Sequence, residues 1–299
     1  MGAFEQLVLK VLPLVPNPVM RPLAMRYVAG ERLEQALAKL RELAFVGHPG
    51  IIDILGEDVE SADQARRVLD EYRRAADGVR EAGLDAYVSV KPTHFGLRLG
   101  SDLALGLYRQ LAAHCRDLGN FLRVEMEDHT TTDATLGVFE ALRAEFDNVG
   151  LVLQSRLLRT PADIAALAPG PLSVRMVKGI YLEPAAIAHT EPEPIRDAYF
   201  ETVRALFERG AYVSLATHDE VLAGRVLALV EELGLDTDRY EFQVLLGVRE
   251  PLWAQWREAG HPVRVYVPFG PEWRPYSLRR LTRNPQILRH VIRATLGLD

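Results

Sequence analysis

Polar and charged side chains fall repeatedly at the ends of short apolar runs in this 299-residue chain. Lys91 follows the run VSV directly and precedes Pro92, so its backbone is held extended. A lysine so placed could anchor a carboxylate, pair with Glu125, or form a Schiff base if desolvated; an ordinary ion pair serves equally well. Glu125, with Glu127 and Asp128, closes the next run, and Gln154 with Arg156 closes the one after it. In VRMVKGIYLEP (174–184), alternation puts Arg175 and Val177 on one strand face, and Gly179 lets a ligand approach the backbone closely. Arg175 and Lys178 together call for an anionic partner, either Glu125 or a bound ligand. Thr217, His218 and Asp219 end a further run, followed by Gln243 and then Tyr266. Arg279 and Arg280 come after Tyr276 at the start of the last helical pattern. Their planar forks suit a carboxylate, although a solvated basic stripe is the commoner meaning of such a pair. His218 and Asp219 could be joined by His94 or His129 in a metal cluster, but no H-x-H or H-E-x-x-H spacing exists. Asp219 therefore reads first as a helix N-cap, and no metal is expected.

These residues need a scaffold that gathers strand ends, and the chain repeats one. Apolar, β-branched runs occur at 51–55, 86–90, 121–126, 149–154, 172–177, 211–216, 240–246 and 263–267. Successive starts lie 23 to 39 residues apart, room for a strand, a helix and two loops each time. The runs are nearly continuous in hydrophobicity, as strands covered on both faces must be. Between them lie helical patterns. In 62–83, Ala65, Val68, Leu69, Tyr72, Ala76 and Val79 share one face. The segment 220–234 ends at a glycine suited to the C′ position. Eight strand–helix units are the number that closes a (βα)8 barrel, whose reactive groups sit at the C-terminal strand ends. The expectation is thus an α/β fold of the TIM-barrel type. It is a single catalytic domain over 1–299: a helical segment at 1–46 broken by Pro13, Pro16, Pro18 and Pro22, a barrel at 47–276, and a closing helix at 277–299 with a break near Pro285.

Composition removes other classes. Hydrophobic residues make up 48% and charged residues 25%, as in ordinary globular proteins. A net charge of −6 repels phosphate backbones, so no nucleic-acid partner is expected. The single Cys115 cannot form an internal disulfide. No signal-cleavage pattern and no apolar run of about 18 residues occurs, and the expectation is a cytoplasmic protein. Neither G-x-G-x-x-G nor G-x-x-x-x-G-K-[ST] is present, so any dinucleotide must be held by the barrel itself.

The ordered blocks VSVKPTHFG (88–96), VEMEDHTTTDATL (124–136), LQSRLLRTPADI (153–164), VRMVKGIYLEP (174–184), ATHD (216–219), YEFQVLLGV (240–248) and VRVYVPFGPEWRPYSLRRL (263–281) resemble monofunctional bacterial proline dehydrogenases. The resemblance covers about residues 30–290. It implies a distorted barrel with FAD at its C-terminal mouth, oxidation of L-proline to 1-pyrroline-5-carboxylate as the first step of proline degradation, and electron transfer to a quinone, with peripheral attachment to the membrane's inner face. It also implies residue roles. Glu125 and Arg175 would be catalytic, with Arg175 near the hydride-accepting nitrogen. Met126, Gln154, Lys178, Gly179, Ile180, Thr217 and His218 would hold the cofactor together with Arg175. Lys91, Arg279 and Arg280 would bind the proline carboxylate. Tyr266, Tyr276 and Leu245 would wall the ring, with Tyr181 and Gln243 in support. Two positions depart from the family pattern. Glu125 stands where Asp is usual, and Arg283 stands where Glu commonly follows the arginine pair. Two other readings remain: a Schiff-base aldolase or lyase acting through Lys91 or Lys178, and a non-catalytic ligand-binding barrel.

Overall fold

A computed structural model describes residues 16–283, with the side chains of residues 19, 23 and 279–283 excepted. Eight parallel strands close on themselves in chain order. They are β1 (Gly50–Ile54), β2 (Ala86–Val90), β3 (Leu122–Val124), β4 (Val149–Gln154), β5 (Ser173–Val177), β6 (Tyr212–Ala216), β7 (Tyr240–Leu245) and β8 (Val263–Phe269). Closure is explicit in the register, where β1 pairs with β8 from Gly50 opposite Val265 to Ile54 opposite Phe269. The expected (βα)8 barrel is therefore present, and all eight runs fall on strands. The third is shorter than expected, three residues against the run 121–126.

Among the described residues, two helices precede the barrel: α1 (Asn17–Ala24) and α2 (Leu33–Phe45). Pro18 sits in the first turn of α1, where its missing N–H costs nothing, but Pro22 lies inside that helix and keeps it short. Long helices separate the strands. α3 (Ala62–Glu81) starts at Ser61, whose hydroxyl accepts the Gln64 N–H at 3.3 Å, and it buries the predicted face of Ala65, Val68, Leu69, Tyr72, Ala76 and Val79. α4 (Ser101–Asp117), α5 (Thr132–Arg143), α6 (Thr160–Ala166) and α7 (Pro192–Glu208) follow. α8 (Glu220–Glu232) begins at Asp219, which accepts the Leu222 N–H at 3.2 Å and is the N-cap that the sequence suggests. After α9 (Glu250–Glu258), the chain ends its described course in α10 (Trp273–Arg283). That helix starts at Trp273, earlier than the residue 277 expected, because Pro275 occupies its first turn without breaking it.

Outward-facing strand residues such as Ile52, Val88, Leu151, Val174, Leu215, Val244 and Val265 are buried against the helices. The inward positions differ from the expected continuous hydrophobicity. Tyr87, Ser89, Arg123, Glu125, Arg175, Ser214, Glu241, Gln243, Arg264 and Tyr266 occupy the barrel interior. Their contacts cross between non-adjacent strands, as Arg123 to Ser214 and Tyr266 to Glu125 do. A polar interior survives burial only if its groups find partners, and most of these are cross-linked; among the described residues, Asp53 Oδ2 and Arg123 Nε are exceptions on the inward face.

Candidate active site

Arg175 is the hub of the interior. It leaves β5 pointing inward, only 4% exposed, and spans the barrel to strands β2, β3 and β7. Its Nη1 donates to Glu125 Oε1 in a close ion pair. Nε donates to Gln243 Oε1 at 2.5 Å, Nη1 lies 3.4 Å from Ser89 Oγ, and Nη2 lies 3.5 Å from the Tyr87 hydroxyl. The guanidinium stands over the Tyr266 ring with 5.2 Å to its centre. Burial alone would lower the Arg175 pKa, but Glu125 and the tyrosine oxygens outweigh it and raise it, so the charge is permanent.

Glu125 is fixed in turn. Besides Arg175, it accepts from Ser89 Oγ at 2.5 Å and from the Tyr266 hydroxyl at 3.3 Å. Burial pushes its carboxyl up, yet Arg175 and the Ser89 hydrogen bond prevail and hold it below the usual range. Of the two partners that the sequence left open for Glu125, the structure selects Arg175. Lys91 turns instead to the Gly56 carbonyl at 3.2 Å and to Glu57 at 3.8 Å, where it still faces Glu125 electrostatically.

The second cluster lies at the ends of β4, β5 and β6. Gln154, 2% exposed, donates from Nε2 to the Glu127 carbonyl at 2.6 Å, while its Oε1 has no hydrogen-bond partner among the described residues. Gly179 has φ +96°, and a Cβ there would come within 2.7 Å of that oxygen. Beside it, Ile180 is 64% exposed, an apolar side chain presented at the mouth. Lys178 and Arg196 both bind Asp219, and Arg196 also pairs with the exposed Glu193, so the charges of this rim cluster balance. Thr217 and Met126 are buried. His218 accepts the Leu245 N–H on Nε2 at 3.0 Å, which puts its proton on Nδ1. Tyr276 on α10 and Leu245 on β7 pack against one small apolar cluster that includes Leu55, Val248 and Trp273, so the last helix is seated by the β7 loop. The backbone of Arg279 and Arg280 belongs to α10, but the arginine pair's side chains lie outside the described residues, as does that of Arg283.

Asp53, which the sequence reading passed over, and Glu127, which it named at a strand end without a role, complete the site. Asp53 is fully buried on β1; its pKa is raised to about 6 by burial, offset in part by Lys91. Glu127 accepts from the Thr93 N–H at 2.8 Å and the Thr93 hydroxyl at 2.7 Å, yet burial lifts its pKa to about 7. Their signal was available: Asp53 is the one acid in IIDIL, and Tyr87, Ser89 and Lys91 alternate along a single strand. Rim braces hold the loops together. Arg98 binds Asp58 at 2.8 Å and Asp128 at 2.7 Å, and Glu183 receives the His129 N–H at 3.0 Å.

The barrel mouth thus carries a fixed cation, a bare glycine backbone and an unmatched amide oxygen on adjoining strands. The chain matches the proline dehydrogenase family over residues 36–292. It is 37% identical to a proline dehydrogenase of Deinococcus radiodurans over 279 residues, 92% of this chain and 90% of that protein. The chain belongs to the proline dehydrogenase family. Proline dehydrogenase 1 of Bacillus subtilis is 31% identical over 91% of this chain and 90% of its own length. Among solved structures, proline utilization A from Bdellovibrio bacteriovorus superposes with a TM-score of 0.82 at 22% identity. It covers 88% of this chain, which spans 33% of that longer protein, and the likeness concerns the fold. Family membership makes the chain an oxidoreductase acting on proline. Among the described residues, no group of His, Cys, Asp and Glu is placed to hold a metal, and no helix is long and apolar enough to cross a membrane.

The raised Glu127 pKa carries a stability consequence for this dehydrogenase. A carboxyl whose folded pKa exceeds its unfolded value costs nothing below the unfolded value and progressively more above it. The Glu127 contribution should therefore lower stability by about 3 kcal/mol as pH rises from the ordinary carboxyl value of 4.5 to about 7. Urea unfolding across that range should show the Glu127→Gln variant losing less stability than the parent. Parallel curves would show that Glu127 ionises normally.

Proposed function

We propose that the chain oxidises L-proline to 1-pyrroline-5-carboxylate with FAD as its redox cofactor and a quinone as final electron acceptor, acting as one catalytic unit. The observation that carries this reading is the Glu125-fixed Arg175 at the barrel mouth, next to the unmatched Gln154 oxygen and the bare Gly179 backbone. These features fit a flat heteroaromatic ring. A buried acceptor without a donor is costly, and the edge of such a ring can supply one. Gly179 keeps the approach open, Ile180 offers an apolar face, and the Lys178 and Arg196 side chains offer cationic N–H donors to a pyrophosphate. Gln154, Arg175, Lys178, Gly179, Ile180, Thr217, His218 and Met126 are the residues that would hold the cofactor. When bound, FAD supplies the hydride acceptor.

The chain's own residues supply position and charge. Lys91, Arg279 and Arg280 orient the substrate carboxylate, while Tyr266, Tyr276 and Leu245 confine the ring. Overall, proline gives up a hydride from the ring carbon beside nitrogen and a proton from that nitrogen. A cationic pocket disfavours the ammonium form and so eases the proton loss. Arg175 presents fixed positive charge to the negative charge that develops during oxidation, and Glu125 keeps it aimed. α10, whose helix carries Tyr276 and the arginine pair, closes the substrate side. Electron transfer to a membrane quinone agrees with peripheral attachment of a cytoplasmic protein.

The Schiff-base alternative requires a desolvated, deprotonated lysine. Lys178 is engaged by Asp219, and Lys91 by the Gly56 carbonyl and Glu57, so neither amine is presented to a carbonyl substrate in an apolar pocket. The Arg279→Met variant should raise the proline concentration needed for half-maximal rate by roughly 10–100-fold, about 1.4–2.8 kcal/mol of lost recognition. An unchanged requirement would remove Arg279 from carboxylate binding. The reaction itself is tested by incubating the purified protein with proline and a soluble quinone and trapping the imine with o-aminobenzaldehyde. A coloured adduct is expected; bound proline without adduct would instead favour a non-catalytic ligand-binding barrel.

A further inference from the structure

The opposite end of the barrel holds a cavity of about 490 Å³, lined by residues at the N-terminal ends of the strands. Its walls include Tyr87, Phe121, Arg123, Tyr212, Glu241 and Arg264. That volume falls within the range of small-molecule sites. Arg123 is 1% exposed and, among the described residues, has no carboxylate within 4 Å. Its Nη atoms donate only to neutral oxygens: the Leu151 and Ser173 carbonyls at 3.2 and 2.9 Å, and the Ser173 and Ser214 hydroxyls at 3.1 and 3.4 Å. Its Nε has no partner. The other buried charges on the wall cancel, because Arg264 binds Glu241 at 2.9 Å. Asp85, the second partner of Arg264, is 75% exposed and screened by solvent. Among the described residues Arg123 is therefore a buried cation on this wall with no carboxylate in direct contact, offset only by the longer-range attraction of Glu241.

The setting of that charge is built. A Cβ on Gly150 would come within 2.4 Å of Arg123 Nη1, so glycine makes the room that the guanidinium occupies. The Phe121 and Tyr87 rings lie 4.9 and 5.7 Å from it. Ring faces soften the cost of burying a cation but do not neutralise it. We propose that this cavity is a second binding site, for a small organic monocarboxylate with a flat apolar body. The carboxylate matches Arg123, and the body lies among Tyr87, Phe121, Tyr212 and the aliphatic rim at Leu84 and Leu118. The site shares Tyr87 with the active site, since the Tyr87 hydroxyl accepts from Gln243 Nε2 at 2.6 Å and Gln243 holds Arg175.

Benzoate and its neutral isostere benzamide are the probes, titrated calorimetrically into the flavin-loaded enzyme. Benzoate should fill two sites per chain in the parent, one at the proline carboxylate site and one here. It should fill one in Leu118→Trp, which plugs the cavity from its rim and should keep proline turnover. Arg123→Met should weaken binding at this cavity at least tenfold, and Leu118→Trp tests the same point without altering a buried charge. Equal stoichiometry in the parent and Leu118→Trp, no benzoate binding at millimolar concentration, or benzamide binding here as tightly as benzoate would each overturn the proposal. One site in the parent and none in Leu118→Trp would support it while contradicting the carboxylate role of the active site.

Discussion

Replacing Arg175 with alanine should lower proline turnover by on the order of 10²–10³-fold, the usual effect of deleting one preorganised electrostatic stabiliser, about 2.7–4 kcal/mol. The guanidinium contacts Glu125, Gln243, Ser89 and Tyr87 at once, so no neighbour can take over its position. The loss should appear in kcat and in kcat/KM together, because Arg175 acts on charge that develops during reaction rather than on substrate binding. Arg175→Lys retains a charge but not the fork that meets three strands, and should remain well below the parent. Arg283→Ala provides the comparison and should differ little from the parent. Steady-state kinetics of the three variants decide the matter, and an Arg175→Ala enzyme within a few-fold of the parent would refute the assignment.

Glu125→Ala should be destabilised by about 3–5 kcal/mol, the cost of leaving one member of a buried ion pair without its partner. Among the described residues Arg175 has no other carboxylate in contact, so its charge would stand unmatched in the barrel interior. Glu125→Gln keeps an acceptor for Ser89 and Tyr266 and should lose less. The pH dependence follows from the lowered Glu125 pKa. A depressed carboxyl contributes its full stability above the unfolded value, and that contribution disappears as pH falls through the folded value. The gap in unfolding free energy between parent and Glu125→Gln should therefore be widest near neutral pH and close on acidification. A gap that is constant with pH, or absent, would mean that the pair does not bear on stability.

Much of the fold was legible because the barrel's outer face repeats. Residues such as Ile52, Val88 and Val265 are buried by helices whose own stripes have a 3.6-residue period, and both periods stand in the sequence. Asp219 was readable as an N-cap for the same local reason. Boundaries were weaker where tertiary context decides. β3 is only three residues long, although the Glu125 N–H still donates to the Val90 carbonyl of β2 at 2.9 Å before the chain turns to the mouth, and α10 begins early at Trp273. The polar interior was half-legible. Arg175, Gln154 and Gln243 stood out at strand ends, but Asp53, Ser89, Tyr87, Arg123 and Glu241 sit inside the runs, where hydrophobic neighbours hide a two-residue alternation. Which partner Glu125 takes depends on the distance across a closed cylinder, which spacing along the chain does not encode.

The decisive measurement is the visible absorption spectrum of the purified protein, recorded without oxygen before and after adding proline. Loss of the flavin band within the mixing time of the parent, and a loss at least a hundredfold slower in Arg175→Ala, is the predicted result. A band that persists with proline, or that bleaches at the same rate in both proteins, would contradict a site built around the arginine that Glu125 holds across the barrel.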